Sequence, residues 1–304
     1  MGAGLGGTTM AILLARRGHQ VAVYEGRPDP RRPAAPPNGA FGGRPAHRPS
    51  INITLCPRGL RTLDLIGAGD LVRSMAVPAY GRVVHAADGI LSHQPYGSSN
   101  EALYSIMRDK LMMQLLSVAE PYGNITFHFN EKCTGADLAT ATVELKNTVT
   151  GAVSRVSGDR LIASDGAFSA VRWQMQRQNR FNLAQEYLDY GYREMTAPAL
   201  SSRGWTGERN ALHFWPRGRF MLMAAPNVDG SFTVTLYMPI EGDLSLESIR
   251  TEEDLVGLFE EFFPDALREL PNLAREYFAR PFNTLLTIRC FPWIYKDKVA
   301  LLGD

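Results

Sequence analysis

Hydrophobic and polar positions change period along this chain, and the changes mark its elements. Residues 5–17 read as a helix with Met10, Leu13 and Leu14 on its buried face, and Gly18 as its stop. Gln20 to Tyr24 then reads as a buried strand ending at Glu25. Residues 28–49, rich in Pro, Gly and Arg, predict an exposed loop. Ser50 to Leu55 alternates as a strand does, and 57–75 predicts a helix interrupted at Gly67-Ala68-Gly69. Residues 82–86 and the surroundings of Tyr96 read as extended. Arg108 to Ala119 predicts an amphipathic helix, Asn124 to Phe129 a strand, and Thr142 to Val156 a hairpin around Asn147 to Gly151. Leu161 to Ser164 is a short buried strand that leads into an Asp165-Gly166 turn.

Beyond residue 175 the pattern turns to strands, at 185–195, 210–216, 219–226 and 231–239, which predicts an antiparallel sheet. Thr251 to Asp254 resembles a capping box that opens a helix to about residue 262. Val299 to Leu302 is a last buried strand. The chain therefore predicts an α/β fold in two domains: a Rossmann-like dinucleotide domain over 1–175 plus 285–304, and a mainly antiparallel second domain over 176–284.

Composition narrows the function classes. With 304 residues and 45% hydrophobic, a sizeable core is available. Lys+Arg number 32 against 31 Asp+Glu, so charge gives no case for nucleic acid or an anionic membrane. Cys56, Cys133 and Cys290 are scattered, which fits reduced thiols and an intracellular setting, and the histidines lack metal-ligand spacing. No apolar run approaches the roughly 20 residues that span a bilayer, so membrane association is not visible in this sequence.

Three motifs carry chemistry. Gly2, Gly4 and Gly7 fit G-x-G-x-x-G at a helix start, where a tight turn, close backbone approach to a pyrophosphate and close packing each require a missing side chain. Glu25 follows Gly4 by about 20 residues at a strand end, where an acid grips ribose hydroxyls. Only Met1 precedes Gly2, so the strand that normally leads into this motif is expected to lie upstream. The second motif is Asp165-Gly166-x-x-Ser169-x-x-Arg172 and the third Gly303-Asp304 after Val-Ala-Leu-Leu.

In this order the three motifs resemble the single-component FAD aromatic hydroxylases, the family of p-hydroxybenzoate hydroxylase. The resemblance extends through Pro49 to Leu55, Arg58-Gly59, Pro95-Tyr96-Gly97, His128-Phe129-Asn130, Trp215-Pro216-Arg217, Pro226-Asn227, Ser231 to Leu236 and Phe262 to Ala266. It implies bound FAD, NADPH as co-substrate, O2, and a small aromatic amino acid as substrate. It also implies that the family continues past Asp304, so a chain cut at both borders is expected. By resemblance, Asp165 and Gly166 serve FAD and NADPH, and Asp304 meets the flavin ribityl chain. Gly6, Tyr24, Glu25, Gly26, Arg27, Thr54, Arg108 and the backbone at Cys133 and Ala170 align with FAD-contacting positions. Arg82 and Tyr96 match the pair that holds a substrate carboxylate, and Leu212, Phe214, Met223 and Tyr237 match the pocket wall. The flavin carries the oxidative chemistry, so no side-chain catalyst and no metal is called for. A hydroxylase of another aromatic acid and an inactive FAD-binding protein stay open as alternatives.

Overall fold

The structure, a computed structural model, describes residues 1–32, 51–98, 101–199, 205 and 208–303. The chain begins with α1 (Leu5–Ala15), β1 (Val21–Glu25), β2 (Asn52–Leu55), α2 (Pro57–Leu65) and α3 (Gly69–Ser74). It continues through β3 (Val77–Ala79), β4 (Gly81–His85), β5 (Leu91–Pro95), β6 (Leu103–Met107) and α4 (Arg108–Ala119). Next come β7 (Ile125–Phe129), β8 (Glu131–Asp137), β9 (Thr142–Asn147), β10 (Val153–Ser157), β11 (Leu161–Ala163) and α5 (Ala170–Met175). After these follow β12 (Asn182–Ala197), β13 (Ala211–Arg217), β14 (Phe220–Pro226), β15 (Phe232–Pro239) and α6 (Glu252–Phe262). The last elements are α7 (Pro264–Leu267), α8 (Leu273–Phe278), β16 (Asn283–Phe291), β17 (Ile294–Tyr295) and β18 (Val299–Leu301).

The first layer is Rossmann-like. β1 pairs in parallel with β7, from Val21 with Ile125 to Glu25 with Phe129. β11 pairs in parallel with β18. Residues 1–2 join the two sheets, since Gly2 N donates to Tyr24 O at 2.8 Å and Ser164 N to Met1 O at 2.8 Å. α1 and α4 lie over this layer, with Ile12, Leu111 and Leu115 in a common core. Gly18 takes a positive φ of 85° and ends α1, as its sequence position predicts.

The buried face of α1 differs from the expectation. Met10, Leu13 and Leu14 are only partly buried, while Thr8, Thr9, Ala11, Ile12 and Ala15 are buried. The helix sits so close to the glycine turn that mostly small residues fit between, and the longer side chains splay to its flanks.

The second layer is a seven-stranded sheet in the order β16-β12-β15-β14-β13-β4-β5. Its neighbours are antiparallel except β13 with β4. The sheet crosses the domain division expected from sequence. β4 and β5 come from the first segment, and β13 recruits them through its free edge. Most of the long predicted loop, residues 33–49, lies outside the described residues.

One face of this sheet packs on α6, α7 and α8 around Trp215, Phe232, Phe259 and Phe263. Burial of each such side chain stabilises the fold by about 1.5–3 kcal/mol. The capping box at Thr251 forms, with Asp254 N donating to the threonine hydroxyl and Asp254 accepting from Thr251 N. A polar chain is buried in the same face. His213 Nε2 lies 3.0 Å from the Glu208 carbonyl, an acceptor, so that nitrogen carries hydrogen. Burial drives the His213 pKa down to about 4, so the ring is neutral and its Nδ1 accepts from His85 Nε2 at 3.0 Å. His85 Nδ1 lies 2.8 Å from Asp265 Oδ2, and Trp215 Nε1 donates to the same oxygen at 2.8 Å.

Burial pushes the Asp265 carboxyl up, but the hydrogen bonds from His85 and Trp215 outweigh it and hold its pKa below the ordinary value. A depressed carboxylate stabilises the fold above its unfolded pKa, and that stabilisation is lost as pH falls through the folded value. Replacing Asp265 with Ala leaves two buried donors without their acceptor and is expected to cost about 1–3 kcal/mol at neutral pH. Urea unfolding of both proteins from pH 7 down to 3 checks this, with the difference shrinking below the ordinary aspartate range.

Candidate active site

The glycine turn and the end of β1 form a cradle at the N-terminus of α1. A Cβ on Gly2 would stand 2.4 Å from Ser164 O, and one on Gly7 2.0 Å from Gly2 O, so both positions are closed to any side chain. Gly4 is the opposite case: nothing lies within 4 Å of an added Cβ there. Gly6 has only the tip of Leu302 at 4.0 Å. Gly4 is the helix N-cap and supplies no side-chain cap, and no acid stands in the first turn. The first amides of α1, with the helix dipole behind them, therefore face open space suited to an anion.

Glu25 fixes the other side of the cradle. Its Oε2 accepts from Ala3 N at 2.9 Å and Arg27 Nη2 at 3.2 Å. Its Oε1 accepts from Arg27 N at 3.0 Å and Arg27 Nε at 2.8 Å. Burial raises the Glu25 pKa, but the Arg27 hydrogen bonds and charge, with the Ala3 amide, bring it below its usual value. The carboxylate is held in its charged form, and the Arg27 side chain that covers it is exposed. Tyr24 stacks on His128 at 4.6 Å beside it, and Gly26 passes Lys132 at a distance that leaves a Cβ 3.2 Å from its neighbour.

The Asp165 turn closes the same region. Its Oδ2 accepts from Ala170 N at 2.9 Å, at the start of α5, and Ser169 caps that helix through Arg172 N. Gly166 takes a φ of 83° with open space around it. Asp165 Oδ1 is buried and has no hydrogen-bond partner, an acceptor waiting for a donor. Cys133 lies close enough for the carboxylate to act on it; burial, then Asp165, pushes its thiol up to about 11. A neutral thiol is a structural element and no nucleophile. Thr54 pairs with Ser105 across β2 and β6, and Arg108 opens α4 with its amide on Ile51 O at 2.9 Å. Asp304 lies outside the described residues. The open turn, the helix amides, the charged Glu25 and the orphaned Asp165 oxygen together fit a dinucleotide with pyrophosphate and ribose groups.

The second half of the site is the face of the large sheet turned away from α6. Strand register puts Arg82 beside Leu212, and Val84, Phe214, Met223, Thr235 and Glu194 in one row. Tyr96, Leu212, Phe214, Met223 and Ala225 pack together. Tyr96 is pushed up by burial and drawn down by the Arg82 charge, so the two side chains feel each other. Arg82 is exposed, and its Nε donates to Gln94 Oε1 at 2.7 Å. The six wall and anchor positions predicted from sequence thus share one side of the sheet. Tyr237 stands further along it, with its ring 5.7 Å from that of Tyr192.

A cavity of about 180 Å³ opens between this face and β2. Met223, Ala225, Thr235 and Tyr237 line it together with Ile51 and Asn52 at the start of β2, which pairs with β6 and β3 in a separate short sheet. Asn52 Nδ2 donates to Asn227 Oδ1 at 2.9 Å, and Ser105 Oγ to Pro226 O at 2.8 Å, which pins β2 and β6 to the large sheet. Tyr192 and Glu194 also line the cavity and were not singled out by sequence. Burial pushes the Glu194 carboxyl up to about 7, against the pull of Arg280. Only the alternation of β12, read outward from the buried Met195, could have pointed to them. Among the described residues no group of His, Cys, Asp and Glu is placed to hold a metal, and no helix is long and apolar enough to cross a membrane.

Comparison with known proteins agrees with this geometry. The family described as an NAD(P)-binding Rossmann-like domain matches residues 1–35. Kynurenine 3-monooxygenase of Flavobacterium johnsoniae is 41% identical over 304 residues, which is 100% of this chain and 65% of that one. The Dictyostelium discoideum kynurenine 3-monooxygenase is 36% identical over 100% of this chain and 63% of its own. The chain therefore spans slightly less than two thirds of the length of these relatives. Among solved structures, a 2-methyl-3-hydroxypyridine-5-carboxylic acid oxygenase mutant superposes with a TM-score of 0.75 at 22% identity, covering 100% of this chain and 73% of that one. Klebsiella pneumoniae HpxO, complexed with FAD and uric acid, superposes at 0.71 and 19% identity, covering 99% and 71%. In sequence this chain is similar to kynurenine 3-monooxygenases, and in fold to the 2-methyl-3-hydroxypyridine-5-carboxylic acid oxygenase and HpxO.

Proposed function

We propose that this chain works as an NADPH- and FAD-dependent monooxygenase that hydroxylates L-kynurenine at the ring carbon beside its amine, giving 3-hydroxykynurenine. The observation that carries this reading is the cavity between the large sheet and β2, whose Met223 and Tyr237 share a sheet face with Arg82, while the glycine cradle lies outside its lining. When bound, FAD reduced by NADPH supplies the activation of O2.

The chain's own residues bind, orient and exclude water. The first amides of α1 hold the pyrophosphate, Glu25 the ribose, and the Asp165 turn a further donor of the cofactor. Arg82 offers a planar fork to the substrate carboxylate, and the Tyr96 hydroxyl adds a neutral donor. Leu212, Phe214, Met223 and Tyr237 hold the aryl group against the sheet and keep water from it.

Two outcomes follow. Gly4→Asp gives α1 a good N-cap, so its melting temperature is expected to hold or rise. The same carboxylate repels a pyrophosphate, so bound flavin, read by visible absorbance per chain, is expected to fall severalfold. Wild-type flavin content in that variant would remove α1 from the cofactor site. Arg82→Ala is expected to keep its flavin and to bind kynurenine about 10- to 100-fold more weakly, the usual worth of a hydrogen bond to a charged group. Titration calorimetry on the flavin-loaded protein measures this, and unchanged affinity would take Arg82 out of the pocket.

A further inference from the structure

We propose that Glu194 is the acceptor for the aromatic amine of the substrate, and so makes the pocket selective for aryl groups that carry an amine beside the side chain. This deepens the kynurenine reading and rests on it. Glu194 lies on β12, directly opposite Thr235 of β15, and its side chain shares the pocket face with Tyr192. Arg193 and Met195 alternate to the other face, where Met195 joins the helix-side core. The glutamate therefore belongs to the cavity and not to the core.

Position along the sheet decides which amine it meets. Arg82 is on β4 and Glu194 on β12, with β13, β14 and β15 between them. Four strand spacings separate the two by about 19 Å. Arg82 Nε is hydrogen-bonded to Gln94 Oε1 on β5, so the substrate carboxylate would draw its side chain away from Gln94 and across Leu212 to close that gap. A substrate held by its carboxylate at Arg82 keeps its α-ammonium at that same end, because both groups sit on one carbon. Its ring projects across Leu212, Phe214 and Met223 toward Thr235, Tyr237 and Glu194. The group that reaches the glutamate is then the one on the ring.

The surroundings favour a strong and discriminating contact. Met223, Ala225 and Leu285 line the cavity with carbon, and the Tyr192 and Tyr237 rings, in contact with each other, add aromatic surface to the same wall. A carboxylate in such a setting makes a charge-assisted bond to an N–H. It also disfavours a ligand without that N–H, because the half-buried acceptor then loses that partner. Accepting a hydrogen bond from the amine pushes electron density into the ring, at the carbon beside it where hydroxylation is proposed.

A chemical double-mutant cycle tests this. L-Kynurenine and its analogue without the ring amine, 2-amino-4-oxo-4-phenylbutanoate, are titrated into the flavin-loaded protein. The wild type is expected to prefer kynurenine by about tenfold or more. Glu194→Leu is expected to bring that preference below about twofold. Glu194→Gln, which keeps an uncharged acceptor, falls between. Arg82→Ala weakens both ligands alike and keeps the preference. If Glu194→Leu and Glu194→Gln retain the wild-type preference, the glutamate does not meet the amine, although kynurenine remains the ligand. If the wild type binds neither ligand, the kynurenine reading itself falls and takes this proposal with it.

Discussion

The structure depends on one close approach, that of the N-terminus of α1 to the turn before it. Gly7 and Gly2 meet with no room for a Cβ, and Ser164 closes on the same turn from β11. Its hydroxyl donates to Met1 O at 2.8 Å and its amide to the same carbonyl, which locks the two sheets of the first layer together. That crowding aims the free amides of the helix outward, past Gly4. It also sets Glu25 and Asp165 on either side of the opening. Close packing at two glycines and emptiness at a third are thus one arrangement, and it is what a pyrophosphate requires.

The large sheet plays the complementary part. Its helix side is filled by aromatic rings and by the His213–His85–Asp265 chain, and this fixes the strands firmly. The opposite side carries the cavity that faces β2. Because side chains alternate, every residue that strengthens the core places its neighbours in the pocket. Val83 and His85 are buried, and Arg82 and Val84, which alternate with them, face the other side with the anchor group. Stability and site are two faces of the same strands.

Much of this was legible in the sequence, where the cause is local. The glycine spacing, the acid at the end of β1, the capping box at Thr251 and the alternation of β13, β14 and β15 are each set within a few residues. What escaped depends on distant partners. β3 contains Pro78, which argues against a strand, yet it pairs at the edge of a short sheet. β8 begins right after Asn130, whose positive φ of 63° turns the chain back within one residue. β16 gains its strand character from a long pairing with β12. The union of β4 with β13 is a contact across more than a hundred residues, which no local pattern encodes. Glu194 was invisible for the same reason: a glutamate in a strand reads as solvent-facing until the register of its neighbours shows which face is covered. Met10, Leu13 and Leu14 show the converse error, since size was taken for burial where closeness demanded small residues.

The central claim is that the glycine cradle holds a flavin dinucleotide while the cavity beside the large sheet receives an aromatic amino acid next to its ring. The most direct measurement is a titration of the flavin-loaded chain with L-kynurenine, followed by the visible absorption of the flavin. The account predicts one FAD per folded chain and a saturable shift of its bands with one kynurenine bound, because the ligand enters the space beside the ring. A folded chain that takes up no flavin, or one whose flavin spectrum ignores kynurenine at every concentration, would contradict it.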